Sequence, residues 1–222
     1  MKGDQDHGVD GDACQQLAEA LKRLHETGMQ IGVVIGGGNI FRGINSQSLK
    51  IPRSPADMMG MLATMINGIA LRESLESLGC PCHVMSGLDC PKAVEPYRWY
   101  QAVEYLKRRQ IVIFVGGTGS PFFTTDTAAA LRASEVEANL LLKATKVNGV
   151  FDKDPFKHPD ATYYPELSYA EALNQNLRVM DATSIALCRD NHIPILIFNM
   201  QLLLKDKETR ITMLANQGSV IY

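Results

Sequence analysis

Two short apolar runs that each end in a cluster of glycines restrict the fold more than any other feature of this chain. The first, Ile31-Gly-Val-Val-Ile35, leads into Gly36, Gly37 and Gly38, with Arg42 four residues on. The second, Ile111 to Val115, leads into Gly116-Gly-Thr-Gly-Ser120. Short runs rich in β-branched residues read as buried strands. Glycine at a strand's end lets backbone N–H groups come close to a ligand. A nest of such groups suits a phosphate or a carboxylate, which a neighbouring arginine can clamp through two hydrogen bonds. One glycine-lipped strand is equally well a plain tight turn. Two of them point to two phosphate-bearing ligands, the arrangement a phosphotransferase needs.

Strands and helices alternate along most of the sequence, which predicts an α/β fold: a three-layer α/β/α sandwich with a mainly parallel sheet. The spacing predicts a helix over Asp12–His25 ended by Gly28, and a long helix over Pro55–Leu78 ended by Gly79. Helices are also expected over Tyr97–Arg108, Thr127–Ala138, Ser168–Asn174 and Ala182–Asn191. Strands are expected at Ile31–Ile35, His83–Ser86, Ile111–Val115, Asn139–Ala144 and Pro194–Asn199, with Ser219–Tyr222 as an edge strand. Val150 to Pro165, dense in Asp, Lys and Pro, reads as a loop with little regular structure. The apolar stripe Met58, Met61, Leu62, Met65, Ile66 and Ile69 of the long helix fills the core or forms a subunit contact. No linker or repeat interrupts the chain, so one domain over residues 1–222 is expected.

The balance of charge is −2 with a pI near 6.2, which leaves no basic footprint for nucleic acid. No apolar run reaches the length of a membrane span, and the opening Met1-Lys-Gly-Asp lacks the apolar stretch of a signal peptide. No membrane partner is therefore expected, and the cytoplasm is the expected compartment. The five cysteines, Cys14, Cys80, Cys82, Cys90 and Cys188, show no paired C-x-x-C spacing and read as free thiols, with no metal site of the protein's own.

The segment Thr118-Gly-Ser-Pro-Phe-Phe-Thr-Thr-Asp-Thr127 carries the densest chemistry. Its glycine and Pro121 make a loop, Phe122 and Phe123 offer planar apolar surface, and Thr124 to Thr127 open a helix whose free N–H groups favour a phosphate. Asp126 is unexpected beside an anion. Either it holds a lysine or Mg²⁺ there, or it caps the helix.

Several blocks resemble bacterial UMP kinases, of the amino-acid-kinase fold. They are Val33-Val-Ile-Gly-Gly-Gly-Asn-Ile-Phe-Arg-Gly43, Met59-Gly-Met-Leu-Ala-Thr64, Gly117-Thr-Gly-Ser-Pro-Phe-Phe-Thr-Thr-Asp126, Leu142-Lys-Ala-Thr-Lys-Val-Asn-Gly-Val-Phe-Asp152 and Val179-Met-Asp-Ala-Thr183. The resemblance implies transfer of a phosphoryl group from Mg·ATP to UMP, giving UDP and ADP in pyrimidine nucleotide synthesis by a homohexamer. By this resemblance Gly37, Asp57, Thr118, Gly119, Ser120, Pro121, Phe122, Phe123, Thr124 and Thr125 hold UMP. Gly38, Arg42, Lys143, Thr145, Phe151 and Asp154 lie toward ATP, with Phe151 against adenine; Lys143 and the nearby Lys146 read equally as solvated lysines. Arg42, Asp126 and Asp181 form the catalytic set. Position alone makes Asp57 a cap for the long helix.

Members of the family begin with an apolar strand leading to a Lys-x-Ser-Gly turn. The opening Met1-Lys-Gly-Asp-Gln-Asp-His-Gly-Val-Asp10 resembles the stretch beyond that motif instead. The first strand is thus expected to be missing from this sequence, taking with it a central ladder partner and a lysine aimed at the phosphates. A misplaced start, a shortened chain and a pseudo-kinase are the alternatives. The arginines of GTP-activated members fall where His83 and Gln110 stand, which argues against GTP activation. The rival readings are an amino-acid or carbamate kinase of the same fold, and a non-catalytic nucleotide-binding subunit.

Overall fold

The run Ile111–Val115 becomes a strand buried at every position, and three further strands order themselves about it. The structure is a computed structural model that describes residues 1, 3, 7–41, 50–175, 177, 179–205 and 210–222. Contacts divide the chain into two compact units, Met1–Ala128 and Ala129–Tyr222, each with its own sheet and core.

In the first unit, strands β1 (Gly32–Val34), β2 (Cys82–Ser86), β3 (Glu95–Pro96) and β4 (Ile111–Val115) form a sheet in the order β1-β4-β2-β3. All three pairings are parallel, with Val34 opposite Phe114 and Ser86 opposite Val115. Helix α1 (Gly11–Glu26) starts at Asp10, whose carboxylate accepts the N–H of Ala13 at 2.8 Å, and stops at Thr27. Helix α2 (Arg53–Ser77) is the longest element, and α3 (Trp99–Lys107) precedes β4. Successive strand residues face opposite ways. Ile111, Ile113 and Val115 join Leu21 of α1 and Met65, Leu71 and Leu75 of α2 in one apolar cluster, while Phe114 meets the ring of Tyr97 edge-on at 5.8 Å.

Helix α2 divides its apolar residues. Met61 and Met65 are buried, whereas Met58, Met59, Leu62 and Ile66 are 38–52% exposed. The core-filling reading thus holds for Met61 and Met65, while the other side of the helix stays open.

The second unit holds β5 (Leu141–Thr145), β8 (Glu166–Leu167), β9 (Ile195–Asn199) and β10 (Ser219–Ile221) in the order β5-β9-β10-β8. Its helices are α5 (Tyr169–Asn174), α6 (Ala182–Asp190), α7 (Met200–Lys205) and α8 (Ile211–Gln217). Helix α4 (Thr125–Glu135) carries the division between the units. The expected α/β architecture with mainly parallel strands is what the structure contains.

Three local expectations are corrected. Ser219–Tyr222 is no edge: β10 lies between β9, which it meets antiparallel, and β8, which it meets parallel. The segment Val150–Pro165 contains a two-stranded antiparallel pair, β6 (Val150–Phe151) with β7 (Tyr163–Tyr164). Ser219 ties it down, since its hydroxyl accepts the N–H of Val150 at 2.8 Å and donates to the carbonyl of Tyr164. The alanine-rich helix runs from Thr125 to Glu135 rather than Thr127 to Ala138. It ends in a Schellman-type turn, with Glu137 left-handed (φ 54°), its N–H on Ser134 O, and Ala138 N–H on Ala133 O.

Buried acids give the fold an alkaline limit. Burial pushes the Cys82 thiol up to about 12, the Cys188 thiol to about 11 and the Tyr169 hydroxyl to about 12. A group whose folded value lies above its unfolded one favours the folded state until the unfolded chain begins to ionise. Stability is therefore expected to hold up to the ordinary thiol value of 9.0 and to fall beyond it, more steeply past the ordinary tyrosine value of 10.0. Each group contributes at most about 1.4 kcal/mol per pH unit. Urea midpoints measured across this range check the expectation; a midpoint that stays level through pH 11 defeats it.

Candidate active site

Parallel strands deliver their carboxyl ends to one edge of a sheet, where open α/β folds place their ligands. In the first unit β1 and β4 are neighbours in register, so Gly36–Gly38 and Gly116–Gly119 leave the sheet side by side. Both turns lie against α2. A Cβ on Gly37 would stand 2.5 Å from Gly60 O and 2.8 Å from Ala63 Cβ; one on Gly117 would meet the side chain of Met61. Gly37 is buried and Gly38 exposed, so the first turn presents only its outer part.

The second turn is ordered by its own groups. The N–H of Gly119 reaches Gly116 O at 2.9 Å, and the Thr118 hydroxyl bridges the carbonyl and N–H of Ser120 at 3.1 and 3.2 Å. Gly116 and Gly119 have φ of 71° and 80°, and Gly87 lies so close that a Cβ on Gly119 would be 2.5 Å from its carbonyl oxygen. Phe122 and Phe123 are 64% and 50% exposed, which leaves two aromatic faces open beside the turn.

Asp57 does not cap α2. The helix begins at Arg53, preceded by Pro52 without a side-chain cap, and Asp57 lies a full turn inside it. Its carboxylate instead accepts the N–H of Phe122 at 2.8 Å and is paired with Arg53 Nε at 2.7 Å. Arg53 in turn stands 5.7 Å from the centre of the Phe122 ring. This latch fastens the aromatic loop to α2. Arg53 was not singled out from the sequence, because the helix expected there began at Pro55, two residues short of the observed start at Arg53.

Asp126 does not cap α4 either. Thr124 does so: its Oγ1 accepts the N–H groups of Asp126 and Thr127 at 3.1 and 3.3 Å. Asp126 occupies the first turn and is half-buried.

Two further polar residues of α2, Thr64 and Asn67, are buried at the turns. Thr64 Oγ1 donates to Met61 O at 2.6 Å and accepts the N–H of Gly116 at 2.7 Å. Asn67 donates to Gly36 O at 2.7 Å and exchanges paired amide hydrogen bonds of 2.6 and 2.9 Å with Asn39. Neither was singled out from the sequence, although an asparagine inside an apolar helical stripe always requires a partner.

The second unit contains the rest. Lys143 and Thr145 are on β5; the Thr145 hydroxyl donates to Val147 O at 2.7 Å and shapes the turn after the strand. Phe151 is half-buried on β6, its ring 5.3 Å from that of Tyr163. Asp154 turns the following loop by accepting the N–H of Phe156 at 3.0 Å. Asp181 is the N-cap of α6, accepting the N–H of Ser184 at 2.9 Å. Arg42 lies outside the described residues.

The model of the amino acid kinase family matches residues 6–199. This chain belongs to that family. The match crosses the boundary between the two units and takes in both glycine turns. A uridylate kinase of Protochlamydia amoebophila is 52% identical over 219 residues, 99% of this chain and 87% of that protein. The crystal structure of UMP kinase from Ureaplasma parvum superposes with a TM-score of 0.87 at 37% identity, covering 96% of this chain and 89% of that one. The structure of UMP kinase from Bacillus anthracis gives 0.89 at 32% identity, covering 99% and 90%. Within the family, these are the kind of protein that this chain is similar to.

Proposed function

We propose that this protein is a uridylate kinase, a nucleoside monophosphate kinase that transfers the γ-phosphoryl group of Mg·ATP to a phosphate oxygen of UMP. The observation that carries the reading is the pair of glycine turns leaving adjacent parallel strands at one sheet edge. The 52% identity to a uridylate kinase names the acceptor. A phosphate oxygen is already ionised at neutral pH, so the reaction needs positioning and charge neutralisation rather than a strong base.

In this reading Gly37, Asp57 and Thr118–Thr125 receive UMP, with the exposed rings of Phe122 and Phe123 beside the base. Gly38, Lys143, Thr145, Phe151 and Asp154 receive ATP, Arg42 supplies positive charge, and Asp126 and Asp181 organise the reacting groups. The magnesium is read as entering with ATP, the co-substrate. The family match across both units supports a single amino-acid-kinase domain. The open stripe Met58, Met59, Leu62 and Ile66 is the proposed subunit seam of a homohexamer. No helix among the described residues is long and apolar enough to cross a membrane. The proposed role is pyrimidine nucleotide supply, in the cytoplasm.

A coupled assay of ADP release with UMP, CMP, aspartate, glutamate and carbamate as acceptors tests the proposal. UMP is expected to be preferred. Turnover with an amino acid and none with UMP would overturn it, and so would tight UMP binding without any turnover.

A further inference from the structure

We propose that Thr64 and Asn67 are positioning residues that set the span between the two glycine turns. The inference rests on reading those turns as the cradles of the reacting phosphates. Met59-Gly-Met-Leu-Ala-Thr64 marks the chain's resemblance to its relatives, yet no role in the proposed reaction falls to Thr64 from that resemblance.

Its geometry supplies one. Thr64 is 5% exposed, and its hydroxyl has both a donor and an acceptor engagement, so its rotamer is held. The group it accepts from is the N–H of Gly116, the first residue of the second turn. Asn67 is fully buried, and both its N–H bonds and its carbonyl oxygen are used. One of those bonds grips the carbonyl of Gly36, where the first turn leaves β1; another reaches Asn39, whose amide also donates to Gly8 O at 2.7 Å. The Gly36 carbonyl is thereby held toward the Asn67 amide of α2.

Thr64 and Asn67 are three residues apart on one helix. Residues at this spacing share a face and are separated by about 4.5 Å along the axis. One rigid element thus grips both turns, and the distance between them is set by the rise of α2 rather than by either loop. Gly60, Ala63 and Gly68 complete the seat: Gly37 rests against the first two, and a Cβ on Gly68 would collide with Val115.

A device that fixes the span acts on the reaction step more than on either binding step. Misplacement of reacting groups by about 1 Å can cost about 100-fold in rate. Thr64→Val keeps the shape and removes the acceptor for the Gly116 N–H, whereas Thr64→Ser keeps it. For Thr64→Val, kcat per folded molecule is expected to fall by about 10- to 100-fold, with KM for UMP and for ATP each changing less than about threefold. Thr64→Ser is expected to stay within about threefold of the parent, and Asn67→Leu to repeat the pattern of Thr64→Val. If Thr64→Val does not fold, Thr64→Ala takes its place.

A purely structural role predicts something else: a lower melting temperature with unchanged kcat per folded molecule. That result overturns the inference, as does a rise in KM at constant kcat or a failure of serine to rescue. Amide exchange at Gly116 gives a readout independent of turnover, expected to quicken in Thr64→Val and not in Thr64→Ser. Should the parent protein not phosphorylate UMP at all, the reading of the site fails by itself. Unchanged exchange at Gly116 would then sink the positioning role separately.

Discussion

Gly37→Ala is expected to lower kcat/KM for UMP phosphorylation by at least about 100-fold. The added carbon would stand 2.5 Å from Gly60 O and 2.8 Å from Ala63 Cβ. The first obstacle is backbone in the middle of α2 and the second a buried methyl, so no flexible tip can swing aside. Either the turn lifts from the helix or the helix bends, and both alter the donor groups of Gly36–Gly38. The expected protein is folded but inactive, with a melting temperature lowered by the strain, since overpacking costs about 1–3 kcal/mol. Steady-state kinetics alongside thermal melting checks this. Near-normal activity in Gly37→Ala would show that the first turn does not hold a substrate.

Asp57→Ala is expected to raise KM for UMP by about 10- to 100-fold, because a hydrogen bond to a charged group contributes about 1.5–3 kcal/mol. The carboxylate has two tasks. It is the proposed partner of the acceptor, and it fastens Phe122 through a 2.8 Å bond from the backbone N–H. Phe122 has φ of 75°, a left-handed conformation that a residue with a side chain adopts only under constraint. Once the carboxylate is gone, Phe122 is free to relax and the aromatic loop loses its fixed place on α2. Asp57→Asn retains an oxygen acceptor and is expected to lose less. Titration calorimetry with UMP distinguishes the two variants; equal affinity in Asp57→Ala and the parent would remove Asp57 from the site.

How legible each feature is in the residues depends on the range of the interaction behind it. Ile111–Val115 was plain because five consecutive apolar residues can be satisfied only between layers. The helix expected over Asp12–His25 declared itself through its period and the Gly28 stop, and it forms as Gly11–Glu26. The pair Val150–Phe151 with Tyr163–Tyr164 was hidden because strands of two residues have no period, and what secures them is the hydroxyl of Ser219, far along the chain. Ser219–Ile221 showed its strand character but not its neighbours, since register between distant segments leaves no local trace. The same holds at the site. Glycine turns and the Thr-rich helix start are local and were legible. The partners of Asp57, Thr64 and Asn67 lie 65, 52 and 31 residues away, and only the folded chain brings them together.

The place of β10 has a consequence for how the protein comes into being. Synthesis runs from the amino end, so the four strands described in the first unit's sheet are all made once Val115 is out. The second sheet must keep a gap between β9 and β8 until Ser219–Ile221 emerge to fill it. Until that moment the facing edges of β9 and β8 stand open to any passing polypeptide, and nascent chains are most vulnerable to aggregation during this interval.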